Sequence, residues 1–168
     1  MEVFGRLASN SGTIAISSDE LNNFGDIEAS RGIKGVINNF KNYNLLRTKG
    51  NLLLNTNFFN NGRFNTPRTN SVGRIFAFGL LQINNSEAYV DAGEIYSPLL
   101  AIISASSMQF LSTHRFYGCE ADIRAHSITS DAGSKFSFQN ILRFCSDQTS
   151  FRHYGDVHSS RVWPFPLL

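Results

Sequence analysis

Alternation of apolar and polar residues dominates this chain, and helical periodicity is scarce. From Arg115 to Ser127 the odd positions read Arg115, Tyr117, Cys119, Ala121, Ile123, Ala125 and Ser127, with Glu120, Asp122, Arg124 and His126 between them. A period of two predicts a strand with one packed and one wet face. Lys135 to Cys145 alternates likewise through Phe136, Phe138, Leu142 and Phe144. The turn chemistry of Ser130-Asp131-Ala132-Gly133 predicts an antiparallel hairpin joining the two. Gly73 to Ile83 is apolar at odd and even positions alike, the pattern of a central strand covered on both sides.

Asn51 to Phe59 is a further strand, and Asn60-Asn61-Gly62 after it suits a type I′ turn, so a second hairpin is expected over Phe59 to Phe64. Val3 to Leu7 and Thr13 to Ile16 add short strands. Ser18 to Phe24 reads as a helix, with Ser18 as N-cap and acids in its first turn. No internal repeat is read. The expected fold is all-β, an antiparallel β-sandwich or distorted barrel of about eight strands with one or two short helices. One domain over residues 1–158 is followed by an extended apolar arm over 159–168, where Pro164 and Pro166 deny the backbone two amide donors.

Charge changes this picture by its distribution. Arg31, Lys34, Lys41, Arg47, Lys49, Arg63, Arg68 and Arg74 lie between Glu28 and Glu87 with no acid among them, while residues 1–28 sum to −4 and 87–168 to −2. The whole chain is only +2, and its charged fraction of 17% is below the usual ~25%. Such segregation speaks to association, because a basic middle and acidic ends invite head-to-tail contact between copies. The interface residues expected on this ground are Arg31, Lys34, Arg47, Lys49, Arg63 and Arg68, joined by Trp163, Phe165, Leu167 and Leu168 of the arm. The same cations, interleaved with Phe40, Tyr43, Phe58, Phe59 and Phe64, are also ingredients of a nucleic-acid groove, but eight charges over nearly sixty residues is a mild density.

Candidate chemistry is sparse. Glu120, Asp122 and His126 share a strand face, yet residues four apart on a strand are about 13 Å apart along it, too far to ligate one ion unaided. His114, His153 and His158 match no zinc spacing, and there is no nucleophile elbow, phosphate loop or dinucleotide fingerprint. No catalytic group, cofactor or metal is expected, nor a membrane partner, since the longest uncharged stretch (Ile95 to Thr113) contains Pro98, Gln109 and five Ser. Glu2 and Arg6 interrupt the first apolar run, against a signal peptide, and Cys119 and Cys145 are read as free thiols.

Asn51-Leu52-Leu53-Leu54-Asn55-Thr56-Asn57-Phe58 resembles the N-L-L-x-N-x-x-F opening of β-sandwich modules in bacteriophage tail-fibre and related virion proteins. The run is about a twentieth of the chain, and Asn60-Asn61-Gly62-Arg63 stands where those modules commonly carry Trp-Gln-Arg-Gly. The resemblance implies a virion component of tail, baseplate, neck or capsid decoration, made in the host cytoplasm, that assembles with itself or other virion subunits. A carbohydrate-binding module, with aromatic rings stacking on sugars and Asn bonding hydroxyls, is the alternative; nucleic-acid binding comes third.

Overall fold

A computed structural model describes the backbone of residues 1–66, 69–146, 151–153 and 156–166, and the side chains of these except 64–66, 69–70, 151–153, 156 and 159–166. It holds sixteen strands and no helix among the described residues: β1 (Glu2–Val3), β2 (Arg6–Ser9), β3 (Thr13–Asn23), β4 (Asp26–Ala29), β5 (Gly32–Asn42), β6 (Leu45–Thr48), β7 (Asn51–Asn61), β8 (Arg63–Thr66), β9 (Thr69–Val72), β10 (Arg74–Ala77), β11 (Leu81–Asp91), β12 (Glu94–Phe110), β13 (Arg115–Ser130), β14 (Lys135–Ser146), β15 (Phe151–His153) and β16 (Asp156–Pro166).

Apart from the β8–β9 hairpin, every pairing is parallel. Each strand lies against the one a full turn later, so the chain winds as a β-solenoid. Leu7, Ile27, Leu46, Ile75, Ile95, Phe116, Phe136 and Val157 stand in one register column. By subtraction they are 20, 19, 29, 20, 21, 20 and 21 residues apart, the single long interval being the rung that carries the hairpin. A rung has a short strand, such as β4 or β6, then a corner, then a long strand such as β5 or β7. From β12 onward the two are fused into one strand, irregular between Ser97 and Leu100, where Pro98 sits. Within the long strands two successive exposed residues, Asp19-Glu20 and Asn38-Asn39, break the alternation and mark a further corner.

Parallel stacking at about 4.8 Å per rung places like residues over like. Ile33, Leu52, Leu81, Ala101, Ala121 and Leu142 form one buried column, and Phe40, Phe59, Tyr89, Met108 and Ile128 another. Phe40, Phe59 and Tyr89 touch in sequence at centroid distances of 5.2 and 5.3 Å, and Phe110 meets Phe136 at 5.0 Å. Those contacts use the phenylalanine-rich composition as rigid core pieces.

The all-β expectation holds, but the antiparallel sandwich or barrel of about eight strands is overturned, and with it the sandwich implied by the Asn51–Phe58 run, which lies in β7. β13 and β14 pair in parallel, so Asp131–Ser134, with Gly133 at φ 92°, carries the chain round a corner to the next rung instead of reversing it. The expected hairpin at Phe59–Phe64 is displaced: β7 runs through Asn61, and the reversal is made by β8 and β9. Ser18–Phe24 is strand up to Asn23, because Leu21 and Asn23 fill rung positions that Phe40 and Asn42 fill one turn later. Gly73–Ile83 is two strands on different faces, which is why it looked apolar on both sides. The arm residues up to Pro166 enter the sheet: β16 runs against β14 and, among the described residues, pairs with no other strand, an edge position that tolerates proline.

Candidate functional site

Asparagines that look like turn formers in the sequence build the interior instead. Asn23, Asn42, Asn61 and Asp91 are fully buried and occupy one register column. Nδ2 of Asn23 donates to Oδ1 of Asn42 at 2.7 Å, Nδ2 of Asn42 to Oδ1 of Asn61 at 2.8 Å, and Nδ2 of Asn61 to Oδ1 of Asp91 at 3.1 Å. Asp91 also accepts from the Tyr89 hydroxyl at 2.7 Å and the Gly93 amide at 2.8 Å. Nδ1 of His114 lies 3.1 Å from Asp91 Oδ1 with both side chains buried, near enough for an ion pair but misaligned for a hydrogen bond. Burial first, and the neighbouring Asp91 charge second, push the Tyr89 phenol well above its ordinary range, so it stays a donor. This network is closed to solvent and serves the fold.

The outward face of the short-strand stack is different. Ala8, Glu28, Arg47, Phe76, Tyr96, Tyr117, Ser137 and His158 follow one another in register along it. At its N-terminal end is a cleft of about 630 Å³ lined by Arg6, Ser9, Asn10, Glu28, Ser30, Arg47, Lys49 and Phe78, with Ala29 at its floor. The Glu28 side chain is only 13% exposed and lies between the guanidinium groups of Arg6 and Arg47, whose side chains are 59% and 48% exposed. Nε of Arg6 donates to Oε1 at 3.0 Å and Arg47 bonds Oε2. Partial burial raises the Glu28 pKa, but the bonds and charges of Arg47 and Arg6 outweigh it and hold the carboxyl below its ordinary 4.5.

Phe78 closes this cleft and meets Tyr96 edge-on at 5.8 Å, while Phe76 meets Tyr96 at 6.3 Å. Beyond them a second, smaller cleft of about 190 Å³ is lined by Tyr96, Pro98, Tyr117, Gly118, Cys119, Ser137 and Gln139. Phe78 is 45% exposed and Tyr96 and Tyr117 36% each. Charged groups at one end, rings in the middle and small polar groups at the other thus form one track across successive rungs.

The expected interface residues are scattered by the winding. A rung visits every face within about twenty residues, so a block of sequence maps onto a slab of the solenoid. Arg47 and Lys49 line the first cleft, Arg31 is exposed at the corner after it, and Lys34 lies on the next face beside Ala15 and Leu53. Arg63 is exposed at the hairpin base. Arg68, Leu167, Leu168 and the side chains of Trp163 and Phe165 lie outside the described residues. Winding also joins the opposite charges within the chain: Arg47 and Arg6 pair with Glu28, and Lys41 Nζ with Glu20 at 3.5 Å.

Asp122 is buried and binds Arg124 at 3.0 and 2.5 Å, whereas His126 is exposed. The described residues contain no cluster of three or more His, Cys, Asp or Glu able to hold a metal. Cys119 and Cys145 are free thiols. No helix among the described residues is long and apolar enough to cross a membrane. The aromatic track was missed in the sequence because Phe76, Tyr96 and Tyr117 are 20 and 21 residues apart, and only the rung length brings them together. No family model, no curated protein and no solved structure matches the chain.

Proposed function

We propose that the chain is a carbohydrate-binding module whose ligand lies along the short-strand face. The observation that supports this most is the exposure of Phe78, Tyr96 and Tyr117 on that face, between two clefts lined by hydrogen-bonding side chains. Sugar rings present flat C–H surfaces that stack on aromatic rings, and their hydroxyls need donors and acceptors of the kind the exposed Asn10 and Ser137 offer. Parallel stacking fixes the spacing of these groups, so little order is lost on binding. A catalytic role is disfavoured because Glu28, the carboxylate of the first cleft, is held ionised between two arginines and is a poor proton donor. The Tyr96→Ala/Tyr117→Ala double variant is expected to weaken binding on a glycan array about tenfold or more with its far-UV circular dichroism unchanged. Undiminished binding would refute this placement of the ligand.

A second reading, assembly into a particle as a virion subunit, is favoured by the N-terminal end of the solenoid. Leu7, Ile14 and Ile16 are only partly buried, although Ile27 and Ile33, one turn on, are fully buried. Among the described residues β2 pairs with β4 alone, which leaves its outer edge open to strand addition. Residues 1–28 and 87–168 are both net negative, so end-to-end contact between copies would rest on this apolar end and would strengthen with salt. Light scattering should then give a mass above that of one chain, rising between low and high salt; a monodisperse monomer at both would eliminate it.

A further inference from the structure

We infer that the first cleft selects glycans bearing an anionic group, a carboxylate or a sulfate. This rests on the carbohydrate reading and goes further by naming the ligand class. Three cations (Arg6, Arg47 and Lys49) face the cleft against one acid, Glu28, which leaves a formal surplus of two positive charges.

Their arrangement matters more than their number. Glu28 sits between the arginines and bonds both guanidinium groups, while about half of each arginine side chain remains open to solvent. Arg6 commits Nε and retains its terminal NH₂ groups, and a guanidinium has five N–H donors in a rigid fork that matches carboxylate and sulfate oxygens. Two such forks held by a partly buried carboxylate are organised before any ligand arrives, which lowers the ordering cost that long cationic side chains otherwise carry. Phe78 at the cleft wall places a ring beside them, so one sugar can stack while its acidic substituent meets the arginines.

The distribution of charge along the face favours a glycan over a nucleic acid. Beside the central column runs a second outward one, Arg6, Asp26, Leu45, Arg74, Glu94, Arg115 and Lys135, in which acids interrupt the bases. A phosphate backbone asks for cations at every step, whereas here the surplus is confined to a single cleft. One or two anionic groups per bound segment suffice for it.

The test measures affinity of the full chain for four probes at constant, moderate salt: polygalacturonate, dextran sulfate, neutral dextran and a single-stranded oligonucleotide. Binding to at least one of the two anionic polysaccharides is expected to be about tenfold tighter than to dextran, and which of them binds distinguishes carboxylate from sulfate. In the Arg47→Gln/Lys49→Ala variant, checked by circular dichroism, that ratio should fall to about one. Equal binding of dextran and both anionic chains would overturn the inference and leave the carbohydrate reading standing. Binding to no polysaccharide would overturn both. An oligonucleotide bound more tightly than either anionic polysaccharide would overturn the inference in favour of a phosphate polymer.

Discussion

Replacing Asn61 by Leu is expected to destabilise the solenoid by about 3–5 kcal/mol, read as a fall in the urea midpoint and as loss of amide protection across β5, β7 and β11. Asn61 is the central link of the buried ladder: it accepts from Asn42 at 2.8 Å and donates to Asp91 at 3.1 Å. Removing both groups leaves the Asn42 amide with only a long 3.4 Å bond to the Arg74 carbonyl, and takes a donor from a fully buried carboxylate. A bond to a charged group contributes about 1.5–3 kcal/mol, and an orphaned buried donor costs a further ~1–3 kcal/mol. Leucine offers no compensation in this position, because the backbone at Gly73 and Gly93 packs directly on the Asn61 side chain. Asn57 supplies the contrast. Its Oδ1 accepts from Ser86 at 2.9 Å on the exposed surface, so Asn57→Ala should cost less than about 1 kcal/mol. Equal midpoints for the two variants would mean that the inner ladder contributes nothing beyond an ordinary surface bond. Since each rung contacts only its neighbours, the loss should be largest in the rungs flanking Asn61 and fade toward β13 and β14.

The strand character of this fold is legible in the alternation at Arg115–Ser127 and Lys135–Cys145, whereas its topology is not legible in any one segment. A hairpin and a solenoid corner use the same turn residues, and Asp131–Ser134 shows the ambiguity: Gly133 bends the chain either way, and only pairing with a strand a full turn distant decides. Alternation also misassigns faces at corners. Tyr117, in phase with the buried Ala121 and Ile123, points outward because the strand is irregular between Gly118 and Glu120. One signal does carry the repeat. Gly5-Arg6-Leu7, Gly25-Asp26-Ile27, Gly73-Arg74-Ile75, Gly93-Glu94-Ile95 and Gly155-Asp156-Val157 share the form glycine, charged residue, aliphatic residue. Three of these triplets lead into a short strand (β2, β4 and β10) and two into the fused strands β12 and β16, but the motif lapses at Asn44, His114 and Ser134, and the β8–β9 insertion lengthens one interval to 29 residues. That interruption hid the period. The ligand face was hidden with it, since Phe76, Tyr96 and Tyr117 become neighbours only after the rung length is known.

The same triplets point to a backbone position that tolerates little change. Gly93→Ala is expected to cost at least about 3 kcal/mol and to yield mostly insoluble or unfolded protein, although alanine is a mild replacement for a residue without positive φ. The obstacle is space. A Cβ at Gly93 would stand 2.5 Å from Nδ2 of Asn61 and closer still to the carbonyl oxygen of Gly73. That carbonyl accepts the Glu94 amide at 2.9 Å, and the Gly93 carbonyl accepts the Arg115 amide at 2.9 Å, so the backbone cannot withdraw without breaking bonds to the rungs on either side. Glycine at this corner is therefore a condition for the close stacking of one rung on the next, and the Asn61–Asp91 bond passes through the same constriction. Gly5 occupies the equivalent corner in the first rung, where a Cβ meets nothing within 4 Å. Gly5→Ala should thus change stability by no more than about 0.5 kcal/mol. Purified yield and thermal midpoint of the two variants side by side separate the explanations. If both fail, the corner needs glycine for its backbone conformation; if only Gly93→Ala fails, the requirement comes from the rung stacked against it.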